Sequence, residues 1–135
     1  MTAEDAAELR VVRPGERDAG TAQTPGMRRE AGVAASTVGA EKLWLGHVTM
    51  APGMVSGAHH HGAVESAIYI ISGRARFRFG PRLEREIDAG PGDFVFVPPE
   101  VVHRELNLDD IAPVEMIVGR NGQENVVVNV DVEEQ

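Results

Sequence analysis

The sequence predicts an all-β domain, a closed barrel or double-sheet jelly roll preceded by an N-terminal arm. Three observations carry that expectation. Short apolar or alternating runs, about seven or eight of them, recur about every eight to twelve residues between Gly and Pro turn signals. Arg74–Phe79 alternates strictly, with Arg74, Arg76 and Arg78 on one face and Ala75, Phe77 and Phe79 on the other, the period of a half-buried strand. After residue 40 no stretch shows the period of an amphipathic helix. So many short strands leave exposed edges, and closure or a double-sheet jelly roll is the economical way to protect them.

The elements follow in order. Residues 1–40 read as a partly ordered arm, broken by Pro14-Gly15, Gly20, Pro25-Gly26 and Gly32, with order expected from about Thr24. The arm either stays loose or lends one or two short strands to the domain or to a neighbouring subunit. Residues 41–130 form the main domain. Leu43–Met50 is a strand ended by Pro52-Gly53, and Ser66–Ser72 is a strand ended by Gly73. Arg74–Phe79 ends at Gly80-Pro81, Glu84–Ile87 at Gly90-Pro91-Gly92, and Asp93–Val97 at Pro98-Pro99. Val114–Gly119 runs into Asn121-Gly122, a hairpin-turn dipeptide, and Asn125–Val130 is the expected return strand. The acidic tail 131–135 is expected to be solvated.

Composition limits the function. The chain has 135 residues, enough for one domain with a core of its own. It has no cysteine, which excludes disulfides, thiolate zinc sites, iron–sulfur clusters and cysteine nucleophiles. The formal net charge is −8, so a nucleic-acid partner is not expected. The acidic N-terminus lacks the apolar core of a signal peptide, and no apolar run approaches the roughly 20 residues of a membrane span; cytoplasmic localisation without membrane attachment follows as an expectation.

The chemistry points to histidine. Of five histidines, three are consecutive. On a strand, residues i and i+2 share a face, so His59 and His61 aim two imidazoles at one point while His60 faces away. Imidazole is the commonest protein ligand for first-row transition metals, although an isolated pair of this kind is more often a plain surface feature.

The surrounding spacing is more specific. Gly53, His59, His61, Glu65 and Gly73, followed by Gly92, Pro98, Glu100, His103 and Asn107, resemble the two-motif signature of the cupin superfamily. The resemblance implies a double-stranded β-helix (jelly-roll) barrel. It implies one divalent transition metal ion (iron, manganese, nickel or zinc) at the mouth, bound by His59, His61, His103 and a motif-1 glutamate. Glu65 is the candidate fourth ligand by its distance from His61. Counted back from Gly73, however, the glutamate position is occupied by Ser66, so strand parity turns Ser66 inward and Glu65 outward. A bulge before Ser66 would return Glu65 to the site; without one, three histidines remain. Glu100 replaces the usual motif-2 glycine and could require a different backbone conformation.

Other residues carry weaker readings. His47 is either a strand histidine of the outer face or core, or an inward group near the metal; with Glu65 it is a candidate catalytic base. His60 reads as a rim residue and Asn107 as a turn-fixing one, and Arg104 and Glu105 are further polar candidates without an assigned role. Phe77, Phe79, Phe94 and Phe96 read as core, Tyr69 as core or interface, and Arg74, Arg76 and Arg78 as a solvated or inter-subunit face, with phosphate recognition as the alternative. The favoured function is a small metal-dependent enzyme acting on an oxygen-rich organic molecule, dioxygenase-like, or a cyclase or isomerase if the metal is zinc. The alternatives are a non-catalytic small-molecule or metal-binding module and a purely structural relic. A homodimer is implied by the resemblance.

Overall fold

The computed structural model describes residues 8–21, 23–123 and 127–132. Strands form in chain order as β1 (Met27–Val33), β2 (Trp44–Met50), β3 (His59–His60), β4 (Ser66–Ser72), β5 (Ala75–Phe79), β6 (Arg85–Ala89), β7 (Phe94–Val97), β8 (His103–Asn107), β9 (Val114–Arg120) and β10 (Val128–Asn129). One helical turn, α1 (Ala35–Val38), lies between β1 and β2. Its end at Gly39 adopts the left-handed conformation that glycine accepts freely.

The strands make two five-stranded antiparallel sheets, in the orders β1-β2-β9-β4-β7 and β10-β3-β8-β5-β6. The sheets face one another across an apolar core. In β4 the alternation is clean: Ser66, Ile68 and Ile70 are buried, while Ala67, Tyr69 and Ile71 face outward. Beside them in the same sheet lie Val48 and Met50 of β2 and Val114 and Met116 of β9, and Phe77 of β5 comes from the opposing sheet, all buried. Burying each such side chain contributes roughly 2 kcal/mol. β4 ends in a register shift between Ile70 and Ser72, followed by Gly73 with φ +83°. A Cβ at Gly73 would sit 2.7 Å from the Pro113 carbonyl oxygen, so both conformation and space demand glycine there.

Two expectations change. Val128–Asn129, within the expected return strand, does not pair with β9. β9 already has β2 on one side and β4 on the other, so no edge is free, and β10 pairs instead with β3 of the opposite sheet, Val128 against His60. Residues 124–126 of that expected strand, and 133–135 of the tail, lie outside the described residues. Phe94 and Phe96 are not core. They are 79% and 60% exposed on the outer face of the edge strand β7, whose inner residues are Val95 and Val97. Phe79 is half-buried, leaving Phe77 as the core aromatic of the four. β1 joins the first sheet, the alternative in which the arm lends a strand to the domain, and it lies after Thr24, from where order is expected. The arginine stripe is engaged locally: Arg76 makes a two-pronged pair with Asp88, and Arg78 donates to the Leu83 carbonyl.

Candidate metal centre

Two neighbouring strands of the second sheet bring the histidines together. His59 on β3 stands directly opposite His103 on β8. His61 follows one residue after β3 ends, on the same side as His59. The ring centroids lie 4.4 Å apart for His59–His103, 5.0 Å for His59–His61 and 5.1 Å for His61–His103. One nitrogen from each ring falls within 4.8 Å of the others, and all three side chains are buried. His60 turns away, as parity requires, and its Nδ1 accepts the Gly62 N–H at 3.0 Å.

Hydrogen bonds fix which nitrogens face the shared point. His59 Nδ1 lies 2.7 Å from the Gly57 carbonyl, and His103 Nδ1 lies 2.9 Å from the Val101 carbonyl. A carbonyl oxygen only accepts, so each Nδ1 carries the proton and donates. That leaves each Nε2 to present a lone pair inward. His103 Nε2 is buried and has no hydrogen-bond partner. Three buried imidazoles converging on one point, one of them with an inward nitrogen that has no hydrogen-bond partner, fit a transition-metal ion.

The expected accessory residues fall elsewhere. Glu65 is exposed; its backbone N–H donates to Asn121 Oδ1, and the shift in β4 comes after Ile70 and not before Ser66. Ser66 is the inward residue, and its hydroxyl is buried without a hydrogen-bond partner. His47 shares the outer face of the first sheet with Leu45 and Thr49, while Trp44, Gly46, Val48 and Met50 face in; its Nε2 lies 3.8 Å from Glu115. Neither Glu65 nor His47 is therefore placed to act as a base in the site. Glu100, in place of the motif-2 glycine, adopts the left-handed conformation that glycine accepts freely, with φ +63°, so glutamate bears strain there.

The structure adds groups that the sequence reading did not assign. Glu105 lies two residues after His103 on β8 and faces inward with it; its Oε1 is 3.6 Å from His103 Nε2. Its N–H donates to Ser56 Oγ. Arg29 of β1 and Arg120 of β9 are also buried inside the barrel, with the Arg120 guanidinium 5.2 Å from the centre of the Trp44 ring. The signal for Glu105 was its spacing: i+2 from an inward histidine on a strand faces inward too.

These charges tune one another. Burial, then the neighbouring His103, pushes His59 down and favours the neutral ligand form. Burial lowers His103 as well, but Glu105 overrides it and raises the imidazole, so an arriving metal must displace a more firmly held proton. Burial would raise Glu105, but His103, His59 and Arg29 outweigh it and hold the carboxyl at about 2. Burial, then Arg29, brings Arg120 down to about 10, still charged at neutral pH. A pH effect follows. A carboxyl held below its ordinary value of 4.5 stabilises the fold above that value and ceases to do so as pH falls toward about 2. Chelator-treated protein is expected to lose roughly a few kcal/mol of unfolding free energy across that interval. Urea unfolding should show this loss, and Glu105→Gln should flatten it.

A cavity of about 570 Å³ leads to this centre. It opens between β6 and β7, the edge strands of the two sheets, and reaches His103. Its walls are largely apolar, with Phe77, Phe79, Ile87, Val95 and Val97, and Arg85 and Glu100 also line it.

A family model of the cupin domain matches residues 46–119, more than half of the chain. The chain belongs to the cupin family. The matched stretch contains His59, His61, His103 and Glu105, with the strands that carry them. No curated protein matches the sequence of this cupin. Among solved structures it is similar to the polyketide cyclase RemF from Streptomyces resistomycificus, with a TM-score of 0.76 and 20% identity over 93% of this chain and 87% of that one. It is also similar to the oxalate decarboxylase OxdC from Bacillus subtilis, with a TM-score of 0.68 and 20% identity over 82% of this chain. The cupin spans only 30% of that longer chain, for which Mn(II) centres are described. At such identities the likeness is one of fold.

Proposed function

We propose that this cupin is a metal-dependent enzyme that rearranges or cyclises an oxygen-rich, largely apolar organic molecule. The observation that carries this reading is an apolar cleft whose lining includes His103 of a three-histidine cluster. A cleft of about 570 Å³ walled by Phe, Ile and Val suits a flat carbon skeleton better than a two-carbon dianion. The similarity to a polyketide cyclase, which extends over nearly the whole of both chains, supports the same choice over decarboxylation of oxalate.

His59, His61 and His103 would hold the ion, with Gly57 and Val101 fixing the first and last rings through their carbonyls. The bound ion would supply Lewis-acid polarisation of a carbonyl or enolate oxygen. The protein does the rest by position. Phe77, Phe79 and Val97 hold the skeleton and exclude water. Glu100 and Arg85, also in the cleft lining, are the groups that would accept a proton and contact a carboxylate there.

Metal analysis of the purified protein, combined with turnover of a β-polyketone-bearing phenol, tests the reading. Near-stoichiometric divalent metal and loss of water from the substrate without oxygen uptake are expected. Oxygen uptake matched to substrate loss would move the assignment to a dioxygenase. Tight binding without conversion would make the protein a binding module.

We further propose that the protein pairs through the outer face of its first sheet. Leu45, Tyr69, Ile71, Phe94 and Phe96 are exposed there, and the Tyr69 and Phe94 rings touch with centroids 4.8 Å apart. Apolar surface of this kind is uncommon on a monomer. Sedimentation should find a dimer, and Phe94→Asp with Phe96→Asp should convert it to monomer; a monomeric wild type overturns the proposal. Among the described residues no helix is long and apolar enough to cross a membrane.

A further inference from the structure

We propose that Glu105, and not the motif-1 glutamate, supplies the carboxylate ligand of the metal centre. The inference rests on the reading of His59, His61 and His103 as metal ligands. It begins with an exclusion: position 65 faces solvent, and the inward position beside it carries a serine hydroxyl, a poor ligand. A buried carboxylate nevertheless stands beside His103, delivered from the opposite motif by β8; it lies outside the three-histidine group whose nitrogens fall within 4.8 Å of one another, so ligation requires the Glu105 side chain to close on the ion.

The distance supports ligation. Glu105 Oε1 is 3.6 Å from His103 Nε2. That is too long for a hydrogen bond, and the nitrogen has none. Two ligands each about 2.1 Å from one ion are about 3.0 Å apart at a right angle and about 3.4 Å apart at the tetrahedral angle. The observed gap is therefore close to that of two neighbouring ligands on one cation.

A second observation concerns burial. A carboxylate taken out of water needs cations around it. Arg29 supplies one, and Arg120 also feels the Glu105 charge. A carboxylate has about four lone-pair sites on two oxygens. One oxygen can therefore serve the ion while the other faces the arginines. The resulting set, three neutral imidazoles and one carboxylate, matches the family's donor types while drawing the carboxylate from a different strand.

The deciding experiment loads the wild-type protein with Co²⁺ and determines its crystal structure. A Glu105 oxygen is expected at about 2.0–2.2 Å from cobalt. In solution, Glu105→Gln should weaken Co²⁺ binding by about 100-fold or more and alter the visible cobalt absorption, whereas Glu65→Gln should change affinity by less than about twofold. Cobalt held by the three histidines, with Glu105 beyond about 3 Å, overturns this inference and leaves the three-histidine reading intact. An unaltered spectrum and affinity in folded Glu105→Gln does the same. Failure of the wild-type protein to bind cobalt overturns both. The wild-type crystal structure decides the matter even if the substituted protein does not fold.

Discussion

Replacing His103 with alanine is expected to strip the protein of bound metal, and His61→Ala to do the same, while His60→Ala leaves metal content near the wild-type level. The asymmetry among three neighbouring side chains is what makes the result informative. His61 and His103 each present a buried ring to the shared point, with centroids 5.1 Å apart. Losing either leaves two imidazoles, and a site that has lost one of so few ligands should fall in affinity by at least about 100-fold. His60 faces the other way, where its Nδ1 accepts the Gly62 N–H; alanine there forfeits one hydrogen bond, about 1 kcal/mol of stability. Metal analysis after exhaustive dialysis, with circular dichroism to show that each variant is folded, checks the pattern. Equal loss from all three changes would mean that strand parity does not govern the site, and the geometry of the proposed centre would fall with it.

Parity is also what made much of this protein legible in its sequence. Ser66–Ser72 alternates on the page as it does in space, and the inward turn of Ser66 followed from counting back from Gly73. The strands missed were those whose inner faces are polar. β8 reads His, Arg, Glu, Leu, Asn, and it buries His103, Glu105 and Asn107 while Arg104 and Leu106 face away from that layer. A search for apolar alternation passes over such a strand because a functional interior inverts the pattern. The same inversion hid Arg29 and Arg120, buried charges on strands whose other inner residues are apolar. Phe94 and Phe96 failed in the opposite sense. Aromatic character suggested core, but Val95 and Val97 fill the inner face of β7 and leave the larger rings outside. The final strand could not be placed from its turn dipeptide, because which edge is free depends on the whole sheet order.

Asn107→Ala is expected to cost about 3 kcal/mol or more of unfolding free energy, a larger effect than most surface or single-contact changes produce. Asn107 is only 1% exposed and ends β8. Its Nδ2 donates to the Ala112 carbonyl at 2.9 Å and is shared with the carbonyls of Ala51 and Met50 at 3.2 and 3.3 Å. Its Oδ1 accepts the Asp109 N–H at 3.0 Å. One side chain thus satisfies backbone groups at the end of β2, in the loop after β8 and just before β9, tying the first sheet to the second. Alanine removes the donor and the acceptor together and leaves buried carbonyls without their partner. Asn107→Asp provides the sharper comparison, since it keeps the shape and the acceptor but replaces the donating amide with a carboxylate facing the same carbonyls. It should destabilise at least as much as alanine, and the deficit should shrink as pH falls through the range in which an aspartate takes up a proton and can donate again. Urea unfolding of the three proteins across that range measures both effects. A cost below about 1 kcal/mol for either substitution would show that the bonds at Asn107 do not hold the two sheets in register.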